Sequence, residues 1–276
     1  MDSRTGKKIR RNRLFNPHSG RTVIIAYSHA SFMGPMPGLR TRQELLRNAL
    51  ALRDADGLMV SPGLVNLLEQ AFLGPEAPSL VVQIDWQSFS RKTLPYETGA
   101  CASMTTVEQV AAAGGDVVMS YLYLGHPDPE IEKEEISRNA ALVRDCERFG
   151  LLLMIEPRSA VEKTQPETKH DPALMCLYAR ISAEIGADLV KVIDPGEDEA
   201  LAEIAASCPA PVLLAGGAQK ADFESAIARA RAAMQAGWAG LVYGRNIFQH
   251  ENPAAALGEV LRVVHEKGDG APGVAF

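Results

Sequence analysis

No run of apolar residues in this sequence approaches the roughly 20 needed to span a bilayer, so no membrane-crossing helix is expected. The first residues carry charge but no apolar h-region, which speaks against a secretory signal. Cysteine is sparse and scattered: Cys101, Cys146, Cys176 and Cys208 form no C-x-x-C and have no histidine pair nearby. That spacing offers neither a disulfide framework nor a zinc site, and fits reduced core thiols in a cytoplasmic protein. An excess of positive charge is missing too. Lys and Arg number 28 against 34 Asp and Glu, a formal charge of −6, which argues against a nucleic-acid partner. The exception is Lys7-Lys8-Ile9-Arg10-Arg11-Asn12-Arg13, expected to lie in a basic arm over 1–20 that packs on a neighbouring subunit or stays solvated. The remainder, 46% hydrophobic and 22% charged in 276 residues, is the composition of an ordinary globular chain.

What is present is a rhythm. Apolar runs at 23–28, 57–61, 80–86, 116–124, 151–157, 187–195, 211–217 and 240–244 are predicted strands. Between and after them, 39–55, 64–72, 105–113, 129–149, 171–185, 197–207, 221–236 and 253–267 carry helical periods. Thr105-Thr106-Val107-Glu108 reads as a capping box, and Asp171-Pro172 puts proline at a first helical position. The polar stretches 87–99 and 158–169 are predicted loops, the first long enough for a binding or lid role.

Such alternation over about 250 residues predicts an α/β fold, a (β/α)8 TIM barrel spanning 21–267. An open doubly wound sheet would use fewer units and a glycine-rich turn after the first strand, and no G-x-G-x-x-G stands there. The Gly- and Pro-rich residues 268–276 are expected to form a flexible tail. In a barrel, chemistry gathers at the C-terminal ends of the strands. Those ends supply Ser28 and His29, Asp85 and Trp86, Tyr121 and Tyr123, Glu156, Lys191, Gly216 and Gly217, and Gly244 with Arg245.

Lys191 stands out. It interrupts the run Leu189-Val190-Lys191-Val192-Ile193, the only predicted strand with a lysine in its interior. Burial disfavours an ammonium. Either the lysine pairs with a carboxylate such as Asp85 or Glu156, or its amine attacks a carbonyl and forms a Schiff base. Gly216-Gly217 and Gly244-Arg245 end consecutive late strands. There, backbone N–H groups and a guanidinium fork suit a phosphate.

Three stretches carry a family resemblance. They are Gly186-Ala-Asp-Leu-Val-Lys191, Cys208-Pro-Ala-Pro-Val-Leu-Leu-Ala-Gly-Gly217 and Ala236-Gly-Trp-Ala-Gly-Leu-Val-Tyr-Gly-Arg-Asn-Ile-Phe-Gln249. They resemble the archaeal-type class I fructose-bisphosphate aldolases, a group that includes the DhnA-like aldolases and the autoinducer-2 phosphate thiolase. Gly34-Pro-Met-Pro-Gly-Leu39 is similar to the same family, and the likeness covers most of Val23 to His265. The resemblance implies a Schiff-base lysine at Lys191, a phosphate grip at Gly216, Gly217, Gly244 and Arg245, no metal and no cofactor. It also implies a phosphorylated small-molecule substrate and a ring-shaped homo-oligomer, a pentamer or decamer.

The departures are as informative. Where that family has Asp-His-Gly at the end of strand one, this chain has Ser28-His29-Ala30. Where the family has a tyrosine proton donor at the end of strand five, it has Glu156, with Met154 in place of an aromatic residue two positions earlier. Met154 and Asp85 complete the expected substrate-binding set. Three readings follow. The first is a Schiff-base aldolase acting on a phosphorylated ketose or keto acid, with Lys191 forming the imine, Glu156 shuttling protons, and Ser28 and His29 assisting. The second is an acyl transferase, thiolase or isomerase on a phosphorylated keto substrate. The third is a phosphosugar-binding protein without turnover, in which Glu156 merely holds Lys191 protonated.

Overall fold

The structure, a computed structural model, describes residues 2–89, 97–217 and 222–266. Residues 90–96 of the expected lid loop and the expected tail at 268–276 lie outside them. In chain order the elements are α1 (Ser3–Leu14), β1 (Thr22–Ala26), α2 (Ala30–Met33), α3 (Arg42–Ala51), β2 (Gly57–Val60), α4 (Pro62–Val65), β3 (Ser79–Gln83), β4 (Asp85–Gln87) and β5 (Cys101–Ser103). Then come α5 (Val107–Ala112), β6 (Val117–Leu124), α6 (Pro129–Phe149), β7 (Leu152–Ser159), α7 (Pro172–Ile185), β8 (Leu189–Ile193), α8 (Asp198–Ser207), β9 (Val212–Ala215), α9 (Phe223–Gln235), β10 (Gly240–Tyr243), α10 (Arg245–Phe248) and α11 (Pro253–His265).

Strands β1, β2, β3, β6, β7, β8, β9 and β10 pair in parallel and close on themselves, β10 joining β1. The fold is a (β/α)8 barrel. Parallel strands sheathed by helices are buried on both faces, which is why they read as continuous apolar runs. Alternate residues face opposite ways. Ile24, Met59, Val81, Met119, Met154, Leu189, Leu213 and Val242 fill the interior. Val23, Ile25, Leu58, Val82, Val118, Ile155, Val190 and Leu241 pack outward against the helices. Helix starts follow the sequence signals: Thr106 and Gln109 form a capping box, and Asp128, Asp171 and Asn252 cap helices that open on proline.

The floor is held by three aspartates. Asp56, Asp116 and Asp188 each immediately precede a strand and accept the backbone N–H of Val23 (2.6 Å), Leu80 (3.1 Å) and Leu153 (2.8 Å) on the neighbouring one. Two of them also receive cations from α1, and this corrects the expected arm. The basic run is a helix under its own barrel. Lys7 Nζ donates to Asp188 Oδ2 (2.8 Å) and Glu147 (2.5 Å), Arg13 pairs with Asp116 (3.4 Å), and Arg10 donates to the carbonyls of Gly115 and Gly150. The strand-start carboxylates and the carbonyls at helix ends make a negative rim, which the cationic face covers. Leu14 closes the interior from below.

Two further readings are amended. The apolar run 80–86 is two strands, because the chain turns at Ile84 and Asp85–Gln87 pairs antiparallel with Cys101–Ser103. The stretch 64–72 is not one helix but α4 followed by a 3-10 turn, Glu69–Phe72. The four cysteines are free, and no helix among the described residues is long and apolar enough to cross a membrane.

Candidate active site

On β7 the residues of one parity, Met154, Glu156 and Arg158, point into the barrel, and β8 presents Leu189 and Lys191 beside them. Lys191 Nζ lies 2.6 Å from Glu156 Oε2, with the two residues only 6% and 3% exposed. Of the two carboxylates considered as its partner, Glu156 is the one used. The other Glu156 oxygen accepts from Arg158 Nη1 at 3.4 Å. Arg158 in turn holds Glu162, with Nε donating to Oε2 at 2.9 Å and a second, shorter contact from Nη2. Lysine, glutamate, arginine and glutamate thus form a buried chain of alternating sign. Burial opposes the charge on Arg158, and the flanking Glu162 and Glu156 more than restore it, raising its proton affinity.

Ser28 and His29 sit at the end of β1, but neither is free to act as expected. Ser28 Oγ donates to Gln83 Oε1 at 2.6 Å, and Gln83 Nε2 donates to the Asp85 carbonyl at 2.8 Å. The serine proton is committed to the wall. The His29 ring lies edge-on to Phe248 (centroids 5.5 Å), and its buried Nδ1 has no hydrogen-bond partner. Burial first, then the charges of Arg245 and Lys191, pull its pKa down to about 3. The ring is therefore neutral at physiological pH and a poor general acid.

Asp85 does not line the site. It is fully buried behind the wall, where its carboxylate takes Arg138 Nη1 (3.0 Å), Ser120 Oγ (2.7 Å) and the N–H of Tyr121 (2.8 Å). A carboxylate with this many donors is structural. Met154 is likewise enclosed, packed one layer below Glu156 as part of the site's floor.

The glycines divide. Gly216 N–H donates to Val242 O within the sheet (3.1 Å), and its carbonyl accepts from Asn246 Nδ2. Its amide is spent on the fold, and it serves by smallness: a methyl there would lie 2.8 Å from the Tyr243 ring. Gly217 is exposed, with φ +67° and open space around it. Gly244 lets the histidine approach, since an added methyl would sit 2.5 Å from His29 Cε1. Arg245 starts α10 with a buried Nε that has no partner, and it makes no ion pair among the described residues. Burial, together with the like charge of Arg158, lowers its proton affinity. A half-buried cation of this kind is costly unless an anion joins it.

The barrel therefore gathers Lys191, Glu156, His29, Gly244 and Arg245 at its C-terminal mouth. It also recruits Arg158, Glu162 and Gln83, which were not anticipated. Arg158 was assigned to a loop because Pro157 looked like a strand end, yet the parity of Met154 and Glu156 runs straight through to it. Among the described residues no group of three or more His, Cys, Asp and Glu is disposed to hold a metal ion.

Comparison with known proteins agrees with the barrel fold. The profile of the DeoC/LacD family aldolases matches residues 22–250. An uncharacterized aldolase of Saccharolobus solfataricus is 30% identical over 96% of both chains. The 3-hydroxy-5-phosphonooxypentane-2,4-dione thiolase of Klebsiella pneumoniae is 32% identical over 95% of this chain and 82% of its own. Among solved structures, an archaeal fructose 1,6-bisphosphate aldolase superposes with a TM-score of 0.79 at 22% identity, covering 95% of this chain and all (100%) of that one.

Proposed function

The chain belongs to the DeoC/LacD family of aldolases, and from that premise we propose that Lys191 is its Schiff-base residue and that its substrate is a phosphorylated ketose or keto acid. The observation that carries the reading is the 2.6 Å contact between Lys191 and Glu156, buried at the barrel mouth that also holds Arg245, whose Nε has no partner among the described residues.

An amine must be neutral to attack a carbonyl. Lys191 passes its proton to Glu156 along the contact between them, and its nitrogen adds to the substrate carbonyl. Glu156 returns a proton to the carbinolamine oxygen, which leaves as water, and the iminium remains. That iminium is the electron sink for breaking the carbon–carbon bond. Arg245 receives the phosphate, with Gly217 open beside it. A charge-assisted contact of this kind contributes about 1.5–3 kcal/mol. Ser28 and Gln83 hold the wall, and His29 packs the neutral side of the anion site.

The thiolase relative favours a second reading, in which the same imine supports transfer of an acyl group to a thiol. Association into a homo-oligomer is part of the proposal; among the described residues Ile9, Leu50, Leu73, Met104, Ile131 and Leu177 are the exposed large apolar side chains. Borohydride with dihydroxyacetone phosphate should add one reduced substrate mass at Lys191, and Lys191→Met should abolish it without unfolding the protein. An adduct that persists in that variant, or maps to another lysine, removes the mechanism. Breakdown of the substrate without added thiol separates aldol cleavage from acyl transfer.

A further inference from the structure

The reaction proposed above moves protons at two substrate atoms, a hydroxyl oxygen and the carbon α to the imine, while Glu156 is pinned by two cations. We propose that Tyr121 is the second proton-carrying residue of the site, delivering the proton to that carbon. The role rests on imine formation at Lys191.

Tyr121 is the ladder partner of Glu156 across β6 and β7. The two stand at one height on strands about 4.8 Å apart, both facing inward. Its backbone is fixed on both sides: the N–H donates to Asp85 (2.8 Å), and the carbonyl accepts from Arg138 (2.7 Å) and Asn139 (3.1 Å). Two residues on, Tyr123 stacks against it, with ring centroids 6.1 Å apart and planes 17° from parallel. Tyr123 is itself locked, its hydroxyl donating to Gln87 Oε1 (3.1 Å) and its ring meeting Phe89 edge-on. One tyrosine is therefore fully committed. The other is held by it, and its O–H makes no hydrogen bond among the described residues.

The groups that bear on this phenol are Glu156 and Arg158 of β7, the Cys101 thiol of β5, Asp85 of β4 and, across the mouth, Arg245. Burial, and after it Glu156, push the phenol well above its ordinary proton affinity. It meets the substrate as an acid, on the strand next to that of Glu156 and two strands from Lys191.

The step balances. As the carbon–carbon bond breaks, the substrate hydroxyl gives its proton to Glu156, and the bond's electron pair moves through the new enamine double bond toward nitrogen. The enamine carbon then takes the proton of Tyr121, its double-bond electrons forming the new C–H bond and restoring the iminium. Protonated Glu156 returns its proton to the phenolate. One proton has travelled from oxygen to carbon, and both side chains are as they began.

Dihydroxyacetone phosphate in deuterium oxide isolates this step, since the compound needs only the imine and proton exchange at the α-carbon. The parent protein should exchange an α-hydrogen, followed by proton NMR, and should give the borohydride adduct at Lys191. Tyr121→Phe should keep the adduct and slow exchange by about 10²–10⁴-fold. Tyr121→His restores a proton carrier and should recover part of the exchange, with its pH profile moved lower. Parental exchange in Tyr121→Phe, with the adduct formed, overturns the role of Tyr121 and leaves the imine standing. Loss of both adduct and exchange in Tyr121→Phe without recovery in Tyr121→His makes the residue structural and overturns it equally. Absence of any adduct in the parent removes the imine, and this role with it.

Discussion

Arg245 and His29 face each other across Gly244, and the charge of the arginine helps hold the histidine neutral. Among the described residues the guanidinium has no anion, and the imidazole has an unpartnered nitrogen. Both conditions cost stability, and an anion at Arg245 relieves the first.

Arg245→Met should therefore separate stability from binding. Removing a half-buried cation that has no anion among the described residues should raise the thermal midpoint of the ligand-free protein. The same change should weaken phosphorylated ligands by about 1.5–3 kcal/mol, roughly 10–100-fold in Kd, and barely affect unphosphorylated analogues. Calorimetry on the free protein and titration with both ligand classes check this. Equal losses for both classes would make the arginine structural.

His29 sets a limb of the acid stability curve. Its folded pKa is about 3, against 6.5 for the free side chain. Between those values the unfolded chain carries a proton that the folded chain lacks, so stability falls as pH drops through that window. His29→Gln should flatten the midpoint-against-pH curve there and leave it unchanged above pH 7. In the parent, inorganic phosphate should move the His29 titration upward, read by NMR, because it offsets the charge of Arg245.

Glu156→Gln keeps the shape of the side chain and removes its proton chemistry. Turnover should fall about 10²–10⁴-fold, while slow borohydride trapping at Lys191 survives. Unchanged turnover, or a lysine more reactive than in the parent, would mean that Glu156 only holds Lys191 in place.

Asp188→Ala tests the floor. It strands the N–H of Leu153 and removes one of the two anions that hold Lys7, and the lost hydrogen bond should cost about 1–3 kcal/mol. Lys7→Ala leaves the Asp188–Leu153 bond intact and should cost less. Urea melts of the two variants decide the order.

The sequence disclosed what is local. Each barrel strand showed as an apolar run, and Lys191 showed because it breaks one. Gly244 and Arg245 followed from the rule that barrel chemistry sits at strand ends. What stayed hidden depends on distant partners. Asp85 looked like a site residue until Arg138, 53 positions later, was found against it. Gly216 looked like an amide donor, yet its N–H belongs to Val242. The basic run offered no sign of its destination, since its anions are spread from Asp116 to Asp188.

That helix under the barrel also constrains the order in which the fold can be completed. Lys7 and Asp188 are 181 positions apart, and a ribosome adding about 5–20 residues per second needs roughly ten to forty seconds to bridge that gap. For that time the helix has been made and the last of its partners has not. Closing so long a loop comes late, after local strand–helix units have formed. The strand that finally receives Lys7 at its base is β8, which carries Lys191 near its top. Seating Lys7 below the barrel and placing Lys191 within it therefore wait on the same strand.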